Sequence, residues 1–196
     1  MISIMKKAKK EGRLTIRISQ HEAGARFERR LYIKEDGTRF SDGRTLRLEA
    51  ETRYIMRLEI NPPEKSLESV TINLKDVGFF ETLSIENNKR KYQIIFETSS
   101  APHTVEKCRD TLTICMQLKE VGHIIIPVQV KYYREGTKRL TEGLAMDCID
   151  VKFLSWDKND VGETGFEIKS AILMAVATRK MNPNRPPRII ETNTND

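Results

Sequence analysis

The chain has 196 residues, of which 38% are hydrophobic and 32% charged, a composition typical of a soluble globular protein with a charged exterior. No apolar run approaches the roughly 20 residues that a helix needs to cross a bilayer, which excludes a transmembrane helix. The 34 basic and 28 acidic residues give a net charge of +6, which favours acidic partners such as anionic lipid, acidic peptide or nucleic acid.

Residues 1–12 are predicted to form a basic, flexible N-terminal arm. Its lysines, Lys6, Lys7, Lys9 and Lys10, follow a short apolar stretch, which is the reverse of the order in a secretory signal. Near an anionic leaflet each lysine contributes about 1 kcal/mol, so these four are candidate membrane-surface residues. A solubilising terminus is the alternative interpretation.

Three cysteines lie in no metal-ligand spacing, and an odd number cannot all be paired. Together with the absence of a signal pattern, this predicts reduced thiols and a cytoplasmic location, including the inner face of the plasma membrane. The cysteines are interpreted as half-buried core residues.

Residues 13–160 are predicted to form one β-sandwich domain, because short runs that alternate polar and apolar residues are separated by turn signals. Asp36-Gly37 and Asp42-Gly43 supply turns, and Asn61-Pro62-Pro63 ends a strand because proline has no backbone N–H. The predicted strands are 13–19, 27–34, 44–48, 54–60, 69–74, 92–98, 111–118, 123–133 and 146–153. Their number and spacing predict an all-β fold, an antiparallel sandwich or barrel of immunoglobulin-like character.

Residues 161–180 are predicted to form a C-terminal extension. Within it, residues 166–180 fit either a helix or an edge strand, and the sequence leaves both open. Residues 181–196 are polar and proline-rich, which predicts a disordered tail.

No motif for catalysis emerges from the sequence. His21, His103 and His123 lie in different predicted segments, and none has a metal-ligand partner two or four residues away. The glycine-rich and nucleophile-elbow motifs are absent as well. We therefore expect a non-enzymatic protein without a cofactor or metal. Nucleic acid is not an expected partner either, because only Lys131-Tyr132-Tyr133-Arg134 approximates an aromatic and basic face.

Residues 32–48 (YIKEDGTRFSDGRTLRL) resemble the cannabinoid receptor-interacting protein family. The likeness lies in a tyrosine, then D-G-x-R-F, three further residues, and R-T followed by an aliphatic, a basic and an aliphatic residue. Residues 67–72, Val121-Gly122, residues 128–133 and Leu154-Ser155-Trp156 are similar to later family segments. The basic N-terminus and the residues from about 161 onward have no counterpart, which indicates a divergent member.

This resemblance implies a sandwich similar to the Rho GDP-dissociation inhibitor fold. It also implies a regulator that binds the cytoplasmic tail of a G-protein-coupled receptor and modulates its signalling. The alternative is a carrier that holds the acyl or prenyl chain of a lipidated signalling protein, such as a G protein, between its sheets.

An exposed strand edge accepts an extended peptide, and basic side chains pair with acidic groups on it. The candidate protein-binding residues are Arg39, Arg44, Arg47, Lys131 and Tyr133. The alternative interpretation is that these charges form an ordinary solvated face or hold a turn.

Overall fold

A computed structural model describes residues 10–21, 28–40, 42–77, 80–98, 101–119, 122–156 and 165–176. These residues form thirteen strands and one 3₁₀ turn, Lys138–Thr141. The strands are β1 (Lys10–Gln20), β2 (Arg29–Arg30), β3 (Tyr32–Glu35), β4 (Arg44–Glu49), β5 (Arg53–Asn61), β6 (Leu67–Ile72), β7 (Lys75–Asp76), β8 (Phe80–Glu86), β9 (Lys89–Glu97), β10 (Asp110–Leu118), β11 (Gly122–Tyr133), β12 (Leu144–Trp156) and β13 (Gly165–Ala175).

The strands form two sheets that share β12. The first sheet has the order β13-β12-β1-β5-β9-β8, with β2 against the end of β1, and the second has the order β7-β6-β10-β11-β4-β3. Strand β12 begins beside β3 and continues beside β1, and its register with β13 shifts between Met146 and Cys148. The all-β sandwich expected from the sequence is confirmed.

Period-two alternation places the core between the sheets. In β1, Leu14, Ile16 and Ile18 are buried and lie opposite the buried Ile60, Leu58 and Met56 of β5. The β10–β11 hairpin of the second sheet repeats this pattern, and the inward side chains of both sheets form one hydrophobic cluster. Burying each large apolar side chain contributes about 1.5–3 kcal/mol, so this cluster is the main source of stability.

Several predicted elements have different bounds in the structure. The first strand begins at Lys10, inside the predicted flexible arm; Lys6, Lys7 and Lys9 lie outside the described residues, as do Phe27 and residues 181–196. Of the two alternatives for residues 166–180, the structure contains a strand, β13, which pairs with β12. Strands β4 and β11 are parallel, whereas the sequence predicts antiparallel pairing.

The predicted strand 69–74 ends early at Ile72. Asn73 and Leu74 have φ values of 50° and 66° and form the turn into β7, so Leu74 is 90% exposed and not on the buried face. Strand β5 ends at Asn61, as the prolines predict, and the Asn61–Pro62 peptide is cis. The cysteines are free, and they range from exposed (Cys108) to buried (Cys148), so the expectation of three half-buried residues is wrong for these two.

Gly12 gives a stability test of the first sheet. A Cβ at this position would lie 2.3 Å from the ring of Phe153, which is buried in the core. Gly12→Ala is expected to lower the free energy of unfolding by about 1–3 kcal/mol, measured by urea denaturation, because the ring must move. Gly43→Ala is the control, since its Cβ would meet ordinary contacts. Equal stability of the two variants would contradict this packing.

Candidate functional site

A buried ion pair joins Asp36, at the end of β3, to Arg109, immediately before β10. Arg109 Nη2 lies 2.6 Å from Asp36 Oδ1, and Arg109 Nε lies 2.9 Å from Asp36 Oδ2. The two side chains are only 7% and 1% exposed. Lys34 Nζ lies 3.0 Å from Oδ1 of the same carboxylate. This bidentate arrangement is the strongest type of arginine–carboxylate contact, so it fixes the loop before β10 against the β3–β4 turn.

Thr45 and Gln129 extend this pair into a network across β4 and β11. The Thr45 hydroxyl donates to Asp36 Oδ2 and accepts from Arg109 Nε at 2.9 Å and from Gln129 Nε2 at 2.7 Å. Burial by itself raises the pKa of Asp36, but hydrogen bonds from Arg109, Thr45 and Lys34 outweigh it and hold that pKa well below its usual range. The carboxylate is therefore ionised at neutral pH and acts as the centre of the network.

Phe40 packs under this network. The Arg109 guanidinium carbon lies 4.2 Å from the centre of the Phe40 ring, and that of Arg39 lies 5.4 Å from it. Residues 32–48 therefore supply an aspartate, a phenylalanine and a threonine that all contact Arg109. The stretch that most resembles the family has a structural role in holding the turn.

Beside the network, a groove of about 570 Å³ crosses the end of the second sheet; we call it the basic groove. Its floor is the end of β11, and its walls come from the loop before β10 and from the 3₁₀ turn. Its lining residues are His103, Thr104, Val105, Glu106, Lys131, Tyr132, Tyr133, Arg134, Thr137 and Arg139. Val105 is 69% exposed, so an apolar side chain faces solvent among the basic ones.

Lys131 lies among like charges in the basic groove. Partial burial, followed by the positive charges of Arg109, Lys34 and Arg139, lowers the pKa of Lys131. Its Nζ lies 5.5 Å from the centre of the Tyr133 ring, and it forms no ion pair with any residue that the structure describes. A cation held in this way gains from an anionic ligand, because the ligand offsets the repulsion.

Arg47 lies beside Lys131, its register partner across β4 and β11. Its side chain is 7% exposed, its Nη1 donates to the Arg139 carbonyl and lies 3.5 Å from Glu142, and its guanidinium lies 5.9 Å from the Tyr133 ring. Arg47 therefore holds the 3₁₀ turn against β4 next to Tyr133, and its burial leaves little surface for direct contact with a ligand.

The five predicted binding residues are divided among three places. Lys131 and Tyr133 line the basic groove, and Arg47 lies next to Lys131 on β4. Arg39 is beside Phe40 in the β3–β4 turn. Arg44 points to the other side of the sandwich, where Nη1 donates to the Leu173 carbonyl at 2.7 Å and Nη2 lies 3.7 Å from Glu35.

Sequence reasoning missed Arg109, Arg139 and Val105. Arg109 follows a predicted loop and is 73 residues from Asp36, so no local pattern connects the two. Arg139 lies in a basic stretch between two predicted strands, and that was the one signal available for a site residue. Solvated loops commonly contain such stretches, so the signal is not specific.

His21 and His103, from different segments, line one pocket of about 600 Å³ together with Glu49. The Glu49 carboxylate accepts hydrogen bonds from Gln20 Nε2 at 2.7 Å and from the Gly136 backbone N–H at 3.0 Å. Among the described residues no group of three or more His, Cys, Asp or Glu side chains is placed to hold a metal ion. Within the same ranges, no helix is long and apolar enough to span a bilayer.

The fold and the groove define an all-β protein with a basic, partly apolar groove at one end of a sandwich. A family model described as CB1 cannabinoid receptor-interacting protein 1 matches residues 9–163. The chain belongs to this family, as its resemblance over residues 32–48 predicts. No individual curated protein gives a significant match.

Asp36→Asn tests the network. The amide keeps the shape of the carboxylate but leaves Arg109 buried without its counter-charge, which costs about 3–5 kcal/mol in comparable cases. The measurement is the free energy of unfolding in urea at neutral pH. Glu35→Gln is the matched control, because that side chain is exposed and its contact with Arg44 is worth less than about 1 kcal/mol. Similar values for the two variants would contradict a central role for the pair.

Acid should destabilise the protein through its ion-paired carboxylates. Hydrogen bonds from Arg57 lower the pKa of Glu28 to about 2, and the pKa of Asp36 is lowered too. Because unfolded carboxylates take up protons near pH 4, stability should be constant above about pH 5 and fall as the pH drops from about 4 towards 2. Urea midpoints across this range should fall less steeply in Glu28→Gln; parallel curves would rule out the contribution of Glu28.

Proposed function

We propose that this protein is a non-enzymatic cytoplasmic adaptor that binds the cytoplasmic C-terminal tail of a G-protein-coupled receptor and modulates its signalling. The receptor that the family name points to is the CB1 cannabinoid receptor. The observation that supports this proposal is the basic groove, where Lys131 lies beside Tyr133 and near three cations, Arg109, Lys34 and Arg139, and one carboxylate, Glu106.

The groove suits an extended peptide that ends in, or contains, a carboxylate. Lys131, Arg134 and Arg139 offer charged donors around it, and Val105 and Tyr133 offer apolar and aromatic surface. Charge-assisted hydrogen bonds to a carboxylate contribute about 1.5–3 kcal/mol each, and the aromatic ring supplies contact area. Every peptide C-terminus has such a carboxylate, so a receptor tail is a ligand of the right chemistry.

In the neighbouring histidine pocket the Glu49 carboxylate has a structural role. Glu49, the buried carboxylate there, already accepts hydrogen bonds from Gln20 and Gly136, which occupy both of its oxygens. These two hydrogen bonds connect Glu49 of β4 to β1 and to the loop after β11. A general base needs a carboxylate that is free to take up a proton, so Glu49 is not proposed in that role.

A lipid carrier would need an apolar slot between the sheets. The space between them is occupied by large, fully buried side chains, among them Tyr54, Tyr92 and Phe153. Between β11 and β13 a cavity of about 440 Å³ is lined by apolar side chains, among them Ile126, Val128 and Leu173, and by the polar residues Asp42, Arg44 and Gln129. A lipid chain would have to enter there. The receptor tail is the proposed ligand because its carboxylate matches the cations of the basic groove.

The experiment is a fluorescence titration of the full chain with a labelled peptide of the CB1 receptor C-terminal tail. Lys131→Glu should weaken binding about 10- to 100-fold, since it removes one charge-assisted contact and adds repulsion. Lys119→Glu is the matched control: Lys119 is exposed at the opposite end of the β10–β11 hairpin, and the same charge change there should have little effect. Affinity should fall with added salt.

Titration with a lipidated version of the same peptide distinguishes a tail-binding adaptor from a lipid carrier. Equal affinity for the lipidated and plain peptides is expected, because the groove contacts side chains and carboxylates. Binding that requires the lipid would overturn the proposal in favour of a carrier. Equal loss in both lysine variants would move the site away from the basic groove.

A further inference from the structure

Strand β13 presents apolar side chains on both of its faces. Leu173 and Ala175 pack against the core, while Ile172, Met174 and Val176 alternate with them and are 40–49% exposed. A strand with one solvated face normally has polar residues at such outward positions. Three exposed apolar residues in a row indicate a surface that contacts something other than water.

Basic side chains lie on the same outward face. The pairing register places Arg13 of β1, Lys152 of β12 and Ser170 of β13 side by side, with Thr15, Asp150 and Ile172 in the next row. Arg13, Lys152 and Lys169 line one open pocket of about 420 Å³. We call this surface, formed by β1, β12 and β13, the β13 face.

Two cations of the β13 face have an acidic partner, and a third has none among the residues that the structure describes. Arg13 pairs with Asp150, and Lys169 lies 2.8 Å from Glu167. Lys152 is exposed and has no ion-pair partner in the described part of the chain. Lys152 lies opposite Ser170, in the outward row next to that of Ile172. An exposed cation without an ion-pair partner among the described residues therefore adjoins the apolar row.

We propose that the β13 face docks on the surface of an anionic lipid bilayer. Lys152, Arg13 and Lys169 contact the phosphate and carboxylate groups of the lipids, and Ile172, Met174 and Val176 enter the boundary between headgroups and acyl chains. Proteins that lie on membranes combine an apolar row with basic residues in this way, because the two contributions add.

A second protein strand fits this surface less well. Strand addition uses the backbone of an edge strand, and the Leu173 carbonyl of β13 already accepts a hydrogen bond from Arg44 at 2.7 Å. The side chains that are free to make contacts point outward from the face and include unpaired positive charge. Those features match a broad anionic surface better than an extended chain.

The test is cosedimentation of the full chain with phosphatidylcholine vesicles that contain about 30% phosphatidylserine, and with pure phosphatidylcholine vesicles. We expect binding to the anionic vesicles that weakens with salt. The double variant Ile172→Asp, Met174→Asp should bind at least about tenfold more weakly, and Lys152→Glu about fivefold or more, since each lost kcal/mol costs about fivefold. Both changes are at exposed positions, where the fold tolerates substitution.

Ile125→Asp is the matched control. Ile125 is 54% exposed on β11, in the other sheet, and lies opposite Cys115 of β10. Equal loss in this variant, or equal binding to neutral vesicles, would overturn the proposal. So would a dimer in solution that the Ile172→Asp, Met174→Asp variant dissociates, because the apolar row would then belong to a protein interface.

This inference is independent of the receptor-tail proposal, and the variants separate the two. The β13-face variants should keep their affinity for the tail peptide in solution, and Lys131→Glu should keep its binding to vesicles. Failure of vesicle binding with intact peptide binding would remove only the membrane proposal.

Discussion

The contact between Asp36 and Arg109 is the constraint on which the candidate site depends. It brings a loop from the middle of the chain onto the β3–β4 turn, and it places Phe40 under the guanidinium. Burying two charges costs desolvation free energy, and their attraction offsets this cost only when the contact is bidentate and the remaining lone pairs accept hydrogen bonds. Here Thr45 and Lys34 contact the remaining positions of the Asp36 carboxylate. The same arrangement leaves an excess of positive charge, because one carboxylate serves two cations. The positive charges of Arg109 and Lys34 help to lower the pKa of Lys131, and they contribute to the positive charge of the basic groove.

Much of the fold follows from period-two alternation. From Leu14 to Ile18 of β1 and from Tyr54 to Ile60 of β5 every second residue is apolar and buried, so both strands and their inward faces were predictable. Strand β8 was not, because it is an edge strand with mostly exposed side chains and gives no clear alternation. The parallel pairing of β4 with β11 was also beyond the sequence, because alternation is identical for either strand direction. At Asn73 and Leu74 the pattern suggested a longer strand, but the backbone turns and exposes the leucine.

The site was predictable only in its local part. Lys131 and Tyr133 are two residues apart on one strand, so they share a face by geometry, and their contact follows. Arg47 shares that face as well, but its burial depends on the 3₁₀ turn, which comes from a distant segment. Arg44 has the opposite orientation and contacts β13, an element whose type the sequence left open. Residues brought together from 73 positions apart, such as Arg109 and Asp36, leave no trace in a single sequence.

Strand β12 belongs to both sheets, and this has a consequence for how the chain folds. Its first residues complete the second sheet beside β3, and its later residues pair with β1, as in Arg13 with Lys152. The ribosome must therefore release nearly the whole domain before β1 can pair with β12. Until then β1 pairs with β5 on one side and, on the other, only through its last two residues with β2, so most of that edge remains open to other chains. Folding during synthesis is therefore expected to finish late and in one step. The entropy cost of closing the long loop between β1 and β12 comes before the contacts between these strands can stabilise the fold.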